Sequence, residues 1–160
     1  MQRPRPSLLA GLVVAVALLG SGCGGELSKS DYQAKVREVG SGVQGDLKAF
    51  TDADKPSKKQ LQEAEDALHA AADDLGDIDP PAEVRKLHEQ LEDVLDETGD
   101  LFGEMAPLLE QASADPTKLS KADLADLARV TGKFTKIQER MEKIQEAYAD
   151  KGYSKLGLEG

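Results

Sequence analysis

Between Leu61 and Ile78 one apolar stripe falls at Leu61, Ala64, Leu68, Ala71, Leu75 and Ile78, a spacing that alternates three, four, three, four, three. A half-buried strand would place every second residue on one face, so this spacing describes a helical stripe that seats against another helix. The same period recurs on Tyr32, Val36, Val39, Val43, Leu47 and Phe50, and again from Val84 through Leu91, Val94 and Leu101 to Leu108. It returns a last time on Leu124, Leu127, Phe134, Ile137, Met141, Ile144 and Tyr148. Each stripe must be buried against a neighbour. Helices joined by a few residues run antiparallel, so the expected fold is all-α, an up-down-up-down four-helix bundle with a long third and fourth hairpin. Tryptophan is absent and aromatics make up 4% of the chain. The core must then be mostly aliphatic, which suits helices better than a sheet.

Local signals set the expected ends. Ser30-x-x-Gln33 and Ser57-x-x-Gln60 both have the capping-box spacing, placing helix starts at Ser30 and Ser57. Gly40, Gly42 and Gly45 interrupt the first helix, each costing about 1 kcal/mol against alanine. Gly76 and Pro80-Pro81 close the second, and the third runs from about Pro81 to Ala112 with Pro107 expected to kink or shorten it. Asp115-Pro116 turns the chain into a fourth helix from about Ser120 to Lys151. The bundle spans 29–151, and the tail 152–160 has lost the period. Leu68, Leu91, Ile137 and Met141 are expected to be deeply buried.

The N-terminus has a different organisation. Arg3 and Arg5 precede an apolar and small-residue run from Leu8 to Leu19, and Gly20-Ser21-Gly22 leads into Cys23, the one cysteine of the chain. That is the layout of a secretory signal, with a run too short for a bilayer that needs about 20 apolar residues. The ending resembles the lipobox of bacterial lipoproteins, with Gly20 where that motif usually carries Leu or another aliphatic residue. The resemblance implies cleavage after Gly22 and diacylglycerol on the Cys23 thiol. Residues 1–22 would be the signal peptide and 23–28 a lipidated tether on the extracytoplasmic face of the cell membrane. A secreted protein with a free thiol and an uncleaved anchor are the alternatives. The stretch Asp77–Leu91, with its Pro-Pro-Ala-Glu start and Leu87-His88, resembles small helical lipoproteins of actinobacteria; that resemblance implies no activity.

Removing residues 1–22 takes away Arg3 and Arg5, so the formal charge falls from −10 to −12. Nucleic acid demands clustered Lys and Arg, so no nucleic-acid partner is expected. The chain has two histidines, His69 and His88, preceded three residues earlier by Asp66 and Arg85. A carboxylate-bridged two-metal bundle needs Glu-x-x-His pairs instead, and both histidines read as surface or boundary residues. No His-Glu-x-x-His, glycine-rich phosphate loop or Gly-x-Ser-x-Gly occurs. No enzyme, cofactor or metal site is expected. Asp73, Asp74, Asp77 and Asp79 crowd the second turn without the spacing of an EF-hand loop.

Arg129, Lys133, Lys136, Arg140 and Lys143 form a basic row on the fourth helix, opposite an acidic edge of Asp93, Glu97, Asp100 and Glu104 on the third. Antiparallel packing pairs such edges, and Asp93 with Arg140, Asp100 with Lys133 and Glu104 with Arg129 are the expected partners. The alternative for the row is an anionic envelope polymer. The functional expectation is a non-catalytic binding or adaptor module. Its partners would be the membrane, through the lipid on Cys23, and another envelope protein. The second expectation is a carrier of a small apolar ligand or lipid, entered near Gly40–Gly45. A large apolar cavity would favour the carrier, and a filled core with an exposed apolar patch the adaptor.

Overall fold

The computed structural model describes residues 26–53, 56–114, 119–154 and 156. The signal segment, Cys23 and the Asp115-Pro116 turn lie outside the described residues. The described chain is all-helical: α1 (Lys29–Asp46), α2 (Lys48–Thr51), α3 (Lys58–Gly76), α4 (Arg85–Ala114) and α5 (Lys121–Asp150). The four long helices form an antiparallel bundle, and α2 is a single turn between α1 and α3. The most extensive contact is between α3 and α4; α5 packs on α4 and α1 packs on α3, whereas the backbones of α1 and α5 stay apart.

Side chains fix the helix ends. Ser57 and Gln60 form the expected capping box, and Ser120 with Asp123 forms a second one at α5. The first helix starts earlier than the Ser30 spacing implies. Ser28 is its N-cap, accepting from the Asp31 backbone N–H at 3.2 Å, and Asp31 also places a negative charge in the first turn. Leu27 and Tyr32 then stand at the two positions of a hydrophobic staple, and both belong to one core cluster. The α1 helix passes continuously through its glycines and breaks at Leu47, short of the expected Phe50. At the far end, Gly152 adopts φ 77°, and its N–H bonds Ala149 O while the Tyr153 N–H bonds Tyr148 O. These two bonds are the Schellman ending that a left-handed glycine permits.

The start of the third helix is corrected, and of the two effects expected of Pro107 the shortening is excluded. Residues 81–84 form a turn, so the third helix begins at Arg85, one turn later than Pro81. Pro107 does not shorten α4, which continues to Ala114. It lies on the exposed face, where the carbonyl that proline leaves without a helical donor is open to solvent.

The core has two parts. One runs from Tyr32, Val36, Leu75 and Val84 through Leu91 and Val94 to Leu101, Val130, Ile137 and Tyr148. The other, around Leu61, Ala64, Leu68, Phe102 and Ala106, lies toward the opposite end and borrows half-buried side chains such as Val43, Phe50 and Phe134. Leu68, Leu91 and Ile137 are buried as expected, while Met141 is half-buried at the margin. Leu124 belongs to the apolar stripe of α5 yet is 55% exposed, because α5 leans on α4 alone. Past the loss of period at Gly152, Tyr153 and Leu156 are buried and complete the first core part.

Candidate functional site

His88 is the one buried polar or charged residue among those described. It lies one residue after the expected stripe position Leu87, but Val84, His88 and Leu91 also share a helical face, and that face points inward. Its Nε2 is 2.9 Å from Leu75 O and its Nδ1 is 3.0 Å from the Tyr32 hydroxyl, which is 2.6 Å from the Tyr148 hydroxyl. A carbonyl can only accept, so Nε2 carries the proton and Nδ1 accepts from Tyr32. Tyr32 has then used its proton, and Tyr148 must donate to it. The chain of bonds runs in one direction, Tyr148 to Tyr32 to His88 to Leu75. Leu75 sits in the last turn of α3, and its carbonyl accepts from the Ile78 N–H at 2.8 Å as well as from His88, which adds a side-chain bond to that helix end.

Tyr153 closes the cluster. Its ring stands edge-on to Tyr32 at 5.8 Å, its hydroxyl donates to Glu83 at 2.6 Å, and Lys29 Nζ lies 4.4 Å from its ring centroid. Burial pushes Tyr148 and Tyr153 up to about 12, in the case of Tyr153 with help from Glu83. Tyr32 is raised further, chiefly by burial. Both His88 nitrogens and all three hydroxyls are committed to bonds within the fold, leaving no free base or nucleophile here. This end of the bundle is cemented by a polar network.

The open feature lies between α1 and α3. A groove of about 370 Å³ follows the two helices, with Val39, Val43, Ala67, Ala71 and Ile78 as its floor. Glu38, Asp46, Asp74 and Asp77 stand around it, with Lys35 as the one cation. None of these four carboxylates makes an ion pair among the described residues. Gly42 lines the groove, and a Cβ placed there or at Gly45 would meet nothing within 4 Å. Gly42 and Gly45 thus leave open space and admit no neighbouring backbone. Small residues are the signal that pointed here; the depth of the groove depends on how α1 is set against α3, which no local pattern encodes.

The remaining residues singled out from the sequence fall into structural roles. Cys23 is outside the described residues, but the chain just after it is pinned. Leu27 N–H bonds Asp79 O at 3.3 Å, and Arg85 reaches Glu26 at 3.1 Å and Asp79 at 4.0 Å. The acidic second turn therefore has an internal counter-charge in Arg85. Asp77 and Asp79 also border a hollow of about 330 Å³ beside His88, Glu89 and Glu92. Among the described residues no group of three or more His, Cys, Asp or Glu side chains is arranged to hold a metal ion. His69 is held on α4 by Asp96 at 2.6 Å, with Asp100 at 3.6 Å, and lies over Gly99, where an added Cβ would come within 2.9 Å of Nε2.

Arg129 bonds Glu104 at 2.9 Å, as expected, but the other two pairs differ. Lys133 also bonds Glu104, at 2.9 Å, and Arg140 bonds Glu97. In both cases the acidic partner is one turn farther along α4 than Asp100 or Asp93. Asp100 is turned toward His69 on α3, which takes it away from α5. Glu104 is held below the usual carboxylate range, first by the Lys133 hydrogen bond and then by Arg129.

Comparison with protein-family models, curated proteins and solved structures gives no match. No described helix is long and apolar enough to cross a membrane.

Proposed function

We propose that this chain is a lipid-anchored, extracytoplasmic helical module that binds a protein of the cell envelope through the α1–α3 groove, without catalysis of its own. The observation that carries this reading is the groove itself, an open furrow floored by half-buried Val39, Val43 and Ala67 with Ala71 and Ile78 beneath them, beside a core filled by aliphatic and tyrosine side chains. The commitment of every polar atom in the Tyr32–His88 cluster supports a non-catalytic role. The pinned segment at Glu26 and Leu27 supports attachment at Cys23, because it brings the start of the bundle within three residues of that cysteine. Pockets of 300–1,000 Å³ do hold small ligands, but such sites bury most of the ligand. An open trough with a charged rim suits a macromolecular surface better than an apolar cargo.

The test has two arms in the native membrane. A photo-crosslinking residue at Ala70, an exposed groove position, should trap one discrete protein adduct, identified by mass spectrometry. Cys23→Ala should move the chain out of the membrane fraction or leave it unprocessed. A processed Cys23→Ala chain that stays membrane-bound would refute lipid anchoring. A tightly held lipid in organic extracts, with no protein adduct, would replace the adaptor with the carrier.

A further inference from the structure

The binding-module reading leaves the chemistry of the partner open, and the groove narrows it. We infer that the α1–α3 groove receives a cationic amphipathic helix of about three turns, presented by another protein. The length comes from the trough: Lys35 to Asp46 on α1 spans about 17 Å at 1.5 Å per residue. The shape comes from its walls. Two antiparallel helices leave a furrow along their axes, and Gly42, Ala67 and Ala70 keep it shallow enough for a third helix to approach at about 8–10 Å. All its walls are helical, so there is no strand edge on which a peptide could add by backbone pairing, and helix-in-groove is the mode that fits. The charge comes from the rim. Glu38, Asp46, Asp74 and Asp77 outnumber Lys35, and none of these carboxylates forms an ion pair among the described residues. An apolar face of small and branched residues would contact Val39 and Val43, while flanking Lys or Arg side chains would meet the carboxylates. The selection against acidic partners is as important as the attraction.

The probe is a fluorescein-labelled, Ala-rich peptide of about 15 residues, near the length at which an isolated helix becomes viable. It carries Leu on one helical face, Lys on the flanks of that face and Ala elsewhere, and its counterpart replaces every Lys by Glu. Binding is measured by anisotropy to the full chain in nanodiscs of zwitterionic lipid, with empty nanodiscs subtracted. The Lys peptide should bind saturably, one per chain, and weaken as salt rises and screens the rim. The Glu peptide should not bind. Gly42→Leu fills the trough from a position where an added Cβ meets nothing within 4 Å, so the melting temperature should hold or rise while affinity falls about tenfold or more. Asp74→Lys, at an exposed position in the last turn of α3, should weaken binding similarly without harming the helix. Retention of peptide by both variants would mean general attraction to an acidic surface and would overturn the inference. Equal binding of the Glu peptide, or binding of neither, would do the same. A dimer in sedimentation that Gly42→Leu dissolves would make a second copy the occupant, again overturning it. A protein adduct trapped at Ala70 alongside a failed peptide would refute only the cationic helix, leaving the binding module in place.

Discussion

Tyr32 has one hydroxyl proton and two polar neighbours, and the direction of its bonds decides what each neighbouring substitution costs. Tyr32→Phe leaves the His88 Nδ1 lone pair and the Tyr148 proton both buried without partners. Tyr148→Phe only removes a donor from an oxygen that still donates to His88. Leaving a buried group unsatisfied costs about 1–3 kcal/mol. Urea unfolding should therefore show Tyr32→Phe as clearly the more destabilising of the two; equal costs would mean the chain runs the other way. The three tyrosines of the chain are all in this cluster, and there is no tryptophan, so intrinsic fluorescence reports on this end of the bundle alone. An ordinary tyrosine titrates near 10. In the fold Tyr148 and Tyr153 are raised to about 12, and Tyr32 is raised as well. A raised pKa means the folded state holds the proton more tightly. The stability these groups contribute is complete below about pH 10 and is lost as pH rises toward about 12. Alkaline titration should show tyrosinate absorbance appearing together with loss of helical circular dichroism in that window. Three independent tyrosines titrating near pH 10 with the helices intact would contradict it. Little of this cluster was legible in the sequence. A histidine beside a leucine seam scores as a flank, and only the rotation of α4 about its axis puts Val84, His88 and Leu91 on the buried side.

Element ends were legible wherever a side chain meets its own local backbone. Ser57-x-x-Gln60 is such a case, because both hydrogen bonds of the box are closed within one turn. The start of α1 was misplaced because two serines compete there, and Asp31 plus the Leu27–Tyr32 staple favour Ser28. The edges of α4 and α5 were legible in sign but displaced by a turn at two of three pairs. Exposed ion pairs contribute only about 0–1 kcal/mol each, which is too little to set the helix offset against the packing of the core. Glycine gives a sharper test at this scale, since the same substitution should have opposite signs at two places on one helix and its end. At Gly132, inside α5, an added Cβ meets nothing within 4 Å, and Gly132→Ala should stabilise by about 0.5–1 kcal/mol. At Gly152 the backbone has φ 77° and an added Cβ would lie 2.8 Å from Lys29 Nζ. Gly152→Ala should destabilise by about 1–2 kcal/mol, loosening the turn that returns Tyr153 to the core. Denaturant midpoints moving in the same direction for both variants would remove the Schellman ending from its role.

At the scale of the whole molecule, connection length made the antiparallel order legible, while the groove arises from helix separation and stayed hidden. The order has a consequence once attachment at Cys23 is adopted. The start of α1 and of α4 and the ends of α3 and α5 all meet at the tyrosine cluster. Glu26 is fixed to this end by Arg85, and the three residues back to Cys23 reach about 10 Å when extended. A lipid on Cys23 would therefore hold this end near the bilayer. A chain cleaved after Gly22 would carry a formal charge of −12, so an anionic leaflet would repel the rest of it and favour a bundle standing on end. The α1–α3 groove would then run along the membrane normal, open to a partner from the side. Cysteine replacements at Lys86 in the first turn of α4 and Lys121 at the start of α5 mark the two ends, about 40 Å apart along the bundle. Both positions are exposed, and with Cys23 acylated each new thiol is the one available to a dye. Energy transfer from the dye to an acceptor lipid labelled at its headgroup should be several-fold stronger from Lys86→Cys than from Lys121→Cys. Wherever Cys23→Ala releases the chain from the membrane, transfer should vanish from both. Equal transfer from the two ends would lay the bundle flat, with the groove either against the bilayer or facing away from it. Stronger transfer from Lys121→Cys would place the α4–α5 turn at the membrane and sever the link between Cys23 and the orientation of the bundle.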